Sequence, residues 1–136
     1  MPVREIKFRG WHTTQKKMYS AEQMANDQLT LLPTGEFINV NGRSTSLSVI
    51  YPKDKFIPLQ FTGLHDKNSK EEYHKDIVKS NLCNSIGVIE WDDKVGSWYY
   101  QWQDGKKTYP RENYDVLDEE VIGNIYENPE LLGKGE

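Results

Sequence analysis

Residues 59–78, LQFTGLHDKNSKEEYHKDIV, decide the fold predicted for this chain. A strand begins at Phe56–Phe61, and Thr62-Gly63 supplies residue types that turn a chain. The loop Asp66–Lys70 is polar throughout, and Ile77-Val78 then begins a second strand. The stretch predicts two strands joined by a polar loop, and the remaining strands are expected to close a small β structure with them.

The second half of the chain is predicted to hold about five short strands separated by tight turns. Ile86–Trp91 is apolar on both faces, which is typical of a central strand. The next run alternates aromatic and polar residues, so that one face is aromatic: Trp98, Tyr100 and Trp102. A return strand follows at Lys106–Tyr109, and the last strand is Val121–Tyr126. The pattern is that of a small antiparallel barrel or sandwich.

The first half is predicted to be a β-hairpin region. Its turns are Pro33-Thr34-Gly35 and Asn41-Gly42, and Asn-Gly favours a two-residue hairpin turn because both residues tolerate positive φ. The strand-like runs around these turns are Leu29–Leu32, Glu36–Val40 and Thr45–Ile50. If these strands stand apart from the barrel, their unpaired edges invite pairing with a second copy of the chain.

Two short helices are predicted in this mainly β chain. Ser20–Ala25 begins with a capping box, because Ser20 accepts from an early helix N–H while Gln23 reaches back. Asn128 is predicted to cap a second helical turn with Pro129 in its first position. The helices are too short to change the fold class, although an α+β arrangement remains the alternative.

The polar joint Pro52–Lys55 predicts the division of the chain. The expected parts are an N-terminal β-hairpin region with a short helix over residues 1–55, a β-barrel over 56–132 and a flexible tail over 133–136. A chain of 136 residues is the size of one domain or of two small lobes.

The composition excludes several classes of function. The net charge of -4 disfavours a protein that coats nucleic acid without sequence preference, because such binding depends on neutralising phosphates. Cys83 is the only cysteine, so neither an internal disulfide nor a cysteine zinc site is expected, and the thiol is interpreted as buried or incidental. No secretory or membrane-spanning apolar run is present in the sequence, which predicts a soluble cytoplasmic protein.

No catalytic constellation is predicted, and neither is a cofactor or a metal. The histidines His12, His65 and His74 match no metal-ligand spacing and are interpreted as exposed turn residues. Adjacent acids at Asp92-Asp93 and Asp118-Glu119-Glu120 point in different directions from a strand or loop, so they suit turns and solubility better than acid–base chemistry. A phosphate-binding glycine loop and a nucleophile elbow are both absent from the sequence.

The aromatic face of the second half is the candidate binding surface. Aromatic rings flanked by basic residues can dock a peptide or stack on bases. The favoured interpretation is that these rings fill the core, and the functional interpretation is that one or two stay exposed as a platform for binding. The candidate binding surface consists of Trp98, Tyr100, Trp102, Lys106, Lys107 and Arg111.

Three segments resemble the YopX family of phage and prophage proteins: IKFRGW at 6–11, FTGLHDKNSKEEYHKDIV at 61–78 and EVIGNIYENPELL at 120–132. The resemblance implies a β-rich fold whose C-terminal part is an SH3-like barrel, and it implies no catalytic residues. The central segment usually reads TGLKDKNGKEIYEGDIV in that family. Ser69 stands here for Gly, and Glu72 stands for an apolar residue, which predicts an exposed position. His74-Lys75 stands for Glu-Gly, so the turn must be rebuilt or strained.

Residues and resemblance together predict a phage or prophage accessory protein that binds without catalysis in the cytoplasm of a bacterial host. The preferred hypothesis is a module for protein interaction or self-assembly, with an unknown protein or a second copy as its partner. The alternative is a nucleic-acid binder that uses the aromatic and basic face, which the acidic net charge disfavours. No membrane association is predicted.

Overall fold

The computed structural model describes residues 5–39, 49–81, 84–110 and 118–133. It contains 51% strand and 10% helix in antiparallel sheets, which confirms the mainly β prediction over the α+β alternative. Several predicted features lie outside the described residues, namely the Asn41-Gly42 turn, Cys83, Arg111 and the tail at 134–136.

The chain divides into two compact units. The N-terminal unit comprises residues 6–60, and the C-terminal unit comprises residues 61–136 together with 1–5. The division between the units falls inside one long strand, Phe56–His65, and the polar joint Pro52–Lys55 predicts a boundary just before that strand. Each half of that strand is described below with the unit to which it belongs.

The N-terminal unit contains two small groups of antiparallel strands. Its complete strands are β1 (Phe8–His12), β2 (Lys17–Tyr19), β3 (Leu29–Leu31), β4 (Phe37–Asn39) and β5 (Val49–Tyr51). β1 pairs with β2 on one side and with the first half of β6 (Phe56–His65) on the other. β4 lies between β3 and β5 in a separate sheet.

The predicted capping box is confirmed at helix α1 (Ala21–Asn26). The Gln23 N–H donates to Ser20 Oγ at 3.1 Å, and the Ser20 N–H donates to Gln23 Oε1 at 3.4 Å. The helix is short because nothing beyond Asn26 sustains it, and it buries a single residue, Met24.

Phe56 is the centre of the N-terminal core. Its ring lies 4.6 Å from that of Phe37 and 5.3 Å from those of Tyr19 and Tyr51, measured between centroids. Gly10 of β1 passes directly beside it, because a Cβ atom built at Gly10 would lie 2.3 Å from Phe56 Cε1. The glycine in the IKFRGW segment is therefore what lets the Phe56 ring pack on β1.

The C-terminal unit is built on a five-stranded antiparallel sheet. Its complete strands are β7 (Glu71–Tyr73), β8 (Asp76–Ser80), β9 (Ser85–Asp92), β10 (Ser97–Trp102), β11 (Lys107–Thr108) and β12 (Glu119–Asn124). The strand order is β11-β10-β9-β8-β12, which confirms β9 as the predicted central strand. β7 pairs with the second half of β6. The SH3-like barrel itself stays a prediction.

The core of this unit lies on one face of the sheet. Five buried side chains form it: Val78, Ile89, Tyr100, Trp102 and Val121. Gly87 of β9 lets the indole of Trp102 lie against the backbone, because a Cβ atom there would be 2.7 Å from Trp102 Cε3. Trp102 Nε1 donates to Thr108 Oγ1 at 3.0 Å, so the buried indole is also satisfied.

Asp66 organises the loop between β6 and β7. Its Oδ1 accepts the N–H groups of Asn68 and Lys70 at 2.8 and 2.9 Å. Its Oδ2 accepts the N–H of Val121 at 2.8 Å, which ties the loop to β12. Ser69, where the family usually has Gly, closes this loop with a φ of 66°. The turn thus keeps the left-handed conformation that glycine adopts most readily.

Replacing Ser69 by Gly should raise the free energy of unfolding by about 0.5–1 kcal/mol, measured by urea denaturation. The substitution removes a left-handed cost of about 1–2 kcal/mol at a non-glycine residue, partly offset by the greater freedom of Gly in the unfolded chain. Ser69→Ala is the matched control, because it keeps the strained conformation and should give no gain. A Ser69→Gly variant less stable than the wild type would contradict this account.

The turn at His74-Lys75 is strained, as one of the two predicted outcomes requires. Lys75 has a φ of 73°, although glycine is the residue best suited to it. Three hydrogen bonds hold it there. Asp76 Oδ2 accepts the Tyr73 N–H at 2.8 Å, the Lys75 N–H donates to Ile89 O at 2.9 Å, and the Lys75 carbonyl accepts the Ile125 N–H at 3.1 Å.

The prediction that Glu72 is exposed is wrong. The residue is fully buried, with a relative exposure of 0%. It occupies the middle of β7 and faces the core, as the apolar residue of the family pattern would. The carboxyl group is accommodated because Tyr100 reaches it with its hydroxyl group, as described below.

A 3-10 helix over Pro129–Leu132 confirms the second predicted helical turn, with proline at its start. Asn128 does not cap it through its side chain. Its Oδ1 instead accepts the Asn124 N–H at 3.2 Å. A Cβ atom built at Gly123 would lie only 2.5 Å from this Oδ1, so the glycine makes room for the Asn128 side chain. The Asn128 side chain thus fastens the end of β12 instead of starting the helix.

Candidate binding surface

Two of the predicted surface residues belong to the core. Tyr100 is 2% exposed and Trp102 is 3% exposed, so the prediction that they form a binding surface is wrong. The physical reason is the period of a strand, which points Trp98, Tyr100 and Trp102 to one face, and most of that face is covered. Only Trp98, near the hairpin end, is left half-buried.

The basic residues of the predicted surface do not join Trp98. Lys107 is exposed, and its Nζ lies 5.0 Å from the ring centroid of Tyr99, which is on the opposite face of β10 from Trp98. Lys106 is exposed in the following turn, where its N–H donates to Asp104 Oδ1 at 2.9 Å. Arg111 lies outside the described residues. The described part of the predicted set is therefore not assembled on one face.

A different group of aromatic residues lies at the β9–β10 hairpin, and Trp91 is its exposed member. Trp91 of β9 pairs with Trp98 of β10, and their ring centroids lie 5.0 Å apart at an angle of 70°. The His74 ring packs on the other indole, Trp98, at 5.2 Å and 60°. Trp91 is 42% exposed, and Val95 in the hairpin turn is 53% exposed. We call His74, Trp91, Val95 and Trp98 the aromatic surface.

An ion pair lies beside the aromatic surface. Glu90 Oε1 accepts from Lys75 Nζ at 2.6 Å and lies 3.4 Å from His74 Nε2. Contact with His74, and next with Lys75, holds the pKa of Glu90 below its usual range. Glu90 also helps to position the His74 ring that packs on Trp98. The charges of Lys75 and Glu90 compensate one another, so this ion pair adds no net charge beside the aromatic surface.

Trp98 keeps an unused hydrogen-bond donor at this surface. Its Nε1 is buried and has no hydrogen-bond partner among the described residues. A buried N–H without an acceptor costs about 1–3 kcal/mol relative to a satisfied one.

The hairpin that carries the aromatic surface is fixed by Asp92. Its Oδ1 accepts the N–H groups of Lys94 and Val95 at 2.8 and 3.3 Å, and its Oδ2 accepts from the Tyr109 hydroxyl at 2.7 Å. The Tyr109 bond, and next the Lys94 bond, lower the pKa of Asp92. The turn-forming role predicted for Asp92 is confirmed, and Trp91 precedes it on this hydrogen-bonded hairpin.

The three histidines have different ring neighbours in the described part of the chain. His12 belongs to the N-terminal unit, where its ring lies 5.2 Å from that of Phe56. His65 packs edge-on against Phe61 at 5.6 Å. Residues 5–39, 49–81, 84–110 and 118–133 contain no group of three or more His, Cys, Asp or Glu arranged for a metal ion.

The signals for Trp91 and His74 were present in the sequence but incomplete. Trp91 is adjacent to the hairpin turn and so pairs with Trp98, a register that follows once the turn at residues 93–96 is known. His74 reaches Trp98 only because β7 and β8 bring its turn beside β10, and no local pattern predicts that contact. None of the helices in the described ranges has the length and apolar character to cross a membrane.

Comparisons with known proteins agree with the fold. The family model described as YopX protein matches residues 7–133. Protein EF1440 from Enterococcus faecalis is similar in structure with a TM-score of 0.61 and 25% identity, covering 96% of this chain and 100% of its own. Protein yopX from Bacillus subtilis has a TM-score of 0.59 and 20% identity with the same coverage, which bears on the fold alone. No curated protein matches the chain. The chain belongs to the YopX family.

Proposed function

We propose that this protein is a non-catalytic interaction module that binds a partner protein through the aromatic surface. The observation that carries the proposal is Trp91, a large side chain that is 42% exposed while its ring is held edge-on by Trp98. Tryptophan is enriched among the few residues that dominate binding energy at interfaces. A rigid exposed indole loses little conformational freedom when a partner covers it.

The charges around the surface favour a protein over a nucleic acid. Lys75 and Glu90 neutralise one another, and the whole chain carries a net charge of -4. Base stacking on Tyr100 and Trp102, which the nucleic-acid alternative required, is incompatible with their burial. The remaining support for that alternative is Lys107 beside the exposed part of Tyr99 on the opposite face.

The proposed setting is a phage or prophage accessory protein in the cytoplasm of a bacterial host. The proposed partner is a host or phage protein, and self-assembly is the variant in which the partner is a second copy. The short strands β3 and β5 at the edges of the N-terminal sheet are the place where a second copy would pair.

Replacing Trp91 by Ala should weaken binding of the partner by about tenfold to thirtyfold, as expected for a central interface residue. The experiment is affinity capture from nuclease-treated lysate of the bacterial host, followed by titration of the captured protein. Ile6→Ala is the matched control, because Ile6 is 68% exposed in the other unit, outside β3 and β5, and should bind like the wild type. Thermal midpoints of both variants should stay close to that of the wild type.

Each other outcome counts against the proposal. If the Trp91→Ala variant bound the partner as tightly as the wild type, the aromatic surface would not be the binding site. Capture that nuclease abolishes and that weakens steeply with salt would favour the nucleic-acid alternative.

A further inference from the structure

Three buried polar residues meet inside the C-terminal unit. Glu72 of β7 is 0% exposed, Tyr100 of β10 is 2% exposed and Glu119 of β12 is 7% exposed. We call them the acid–tyrosine cluster. They come from three different strands, and neither carboxyl group has a Lys, Arg or His within ion-pair distance among the described residues. Buried carboxyl groups are normally paired with a cation or protonated.

The hydrogen bonds of the cluster require an extra proton. Tyr100 Oη lies 2.7 Å from Glu72 Oε1 and 3.1 Å from Glu119 Oε2. A phenol has one hydrogen, so it can donate to one carboxyl group and accept from the other. If both carboxyl groups were ionised, one of these two contacts would leave a carboxylate oxygen facing a lone pair.

We propose that the acid–tyrosine cluster stores one proton at neutral pH, and that losing this proton in alkali releases β12 and the loop 66–70 from the rest of the C-terminal unit. In the protonated state a Glu72 carboxyl hydrogen is donated to Tyr100 Oη, and the Tyr100 hydrogen is donated to Glu119. In the deprotonated state two buried carboxylates oppose each other across a single donor. The proton itself goes to hydroxide or buffer in the solvent.

Other titratable groups face the cluster from the neighbouring elements. Asp66, in the loop after β6, is 7% exposed and adds negative charge near Glu72. Asp76 of β8 is buried as well, with its Oδ2 accepting the Tyr73 N–H. Lys67 lies near Asp118 and Glu120, at 3.8 and 3.9 Å, on the exposed side of β12. Of these groups, Asp66 joins Glu119 as a negative charge that acts on Glu72.

Burial, and next the neighbouring Glu119 carboxyl group, raise the pKa of Glu72 to about 9 from an ordinary value of 4.5. Burial, and next the charge of Glu72, also raise the pKa of Tyr100, so the phenol keeps its hydrogen throughout. A raised pKa in the folded state stabilises the fold fully below the unfolded value. That stabilisation is lost as the pH rises from 4.5 towards 9.

The release should act on β12 because this strand carries Glu119 of the cluster and is also hydrogen-bonded to the loop 66–70. The Lys67 N–H donates to the Glu119 carbonyl at 3.1 Å, and Asp66 Oδ2 accepts the Val121 N–H at 2.8 Å. β12 is also an edge strand, paired with β8 alone within the five-stranded sheet. Repulsion among Glu72, Glu119 and Asp66 should therefore weaken the hydrogen bonds that connect the loop to this edge strand.

The first test is the unfolding equilibrium as a function of pH. The wild-type unfolding constant should rise by up to tenfold per pH unit between about pH 5 and 9, in excess of Glu72→Gln, because that side chain cannot titrate. Glu130→Gln removes an exposed carboxylate of the same unit and should keep the wild-type dependence. Equal pH dependence in wild type and Glu72→Gln would overturn the proposal.

The second test begins with the wild type alone and then locates the opening by comparison with a variant. Carbon NMR of the wild type should show the Glu72 carboxyl group still protonated at pH 7, and an ordinary titration near 4.5 would overturn the proposal. Hydrogen exchange at pH 9 should then be faster in residues 66–70 and 119–121 than in the same residues of Glu72→Gln, or of Glu72→Leu if Gln does not fold. Equal protection in these segments would overturn the release of β12.

Discussion

Replacing Phe56 by Ala should lower the free energy of unfolding by about 3–5 kcal/mol, the range found for large core aromatics. Phe56 is 1% exposed, and its ring is in van der Waals contact with several other rings of the N-terminal unit. Alanine would leave a cavity among Phe37, Tyr19 and Tyr51, whose positions are fixed by their own strands. The cavity cannot collapse easily, because the backbone of β1 already lies against the Phe56 ring at Gly10.

Urea denaturation followed by far-ultraviolet circular dichroism measures this loss. Phe56→Leu keeps most of the volume and should cost roughly half as much or less. Ile50→Ala, at an exposed position of the same unit, should change the stability by no more than about 0.5 kcal/mol. If Phe56→Ala and Ile50→Ala gave the same small loss, Phe56 would not be the centre of this core.

Features that depend on residues close together in the sequence could be predicted from the sequence. The capping box at Ser20 and Gln23 lies within four consecutive residues, and the helix begins where it predicts. The strands around Trp98, Tyr100 and Trp102 follow from alternation, which the backbone imposes on any strand. The central position of β9 follows from its two apolar faces.

Features that depend on which face is covered could not be predicted in this way. Alternation divides the side chains of β10 into two faces, but it does not say which face the rest of the unit buries. Tyr100 and Trp102 were therefore assigned to a surface that is core. The exposed ring is Trp91, whose position near the end of the hairpin leaves it beyond the covered part of the sheet.

The burial of Glu72 is a second feature that local sequence patterns could not predict. A glutamate in place of an apolar residue predicts exposure, since burying a lone carboxyl group is costly. The residue that makes burial tolerable, Tyr100, lies 28 positions away, and Tyr100 lies a further 19 positions from Glu119. The three meet only because β7, β10 and β12 are folded around one core, which no local pattern encodes.

Replacing Tyr100 by Phe should lower the free energy of unfolding by about 2–3 kcal/mol at pH 7. The substitution keeps the ring that packs against Trp102 and removes only the hydroxyl group between the two carboxyl groups. A buried acceptor left without its donor costs about 1–3 kcal/mol, and here two carboxyl groups lose the same hydroxyl group. The loss should therefore exceed that of an ordinary hydroxyl group.

Tyr99→Phe is the matched control for this prediction, because Tyr99 is the next residue on β10 and faces away from the core. It should change the unfolding free energy by less than about 0.5 kcal/mol in the same urea titration. Combining Tyr100→Phe with Glu72→Leu should cost less than the sum of the two single changes, since both act on one hydrogen-bonded cluster. Strict additivity, or equal losses for Tyr99→Phe and Tyr100→Phe, would mean that the Tyr100 hydroxyl group does not hold the two carboxyl groups together.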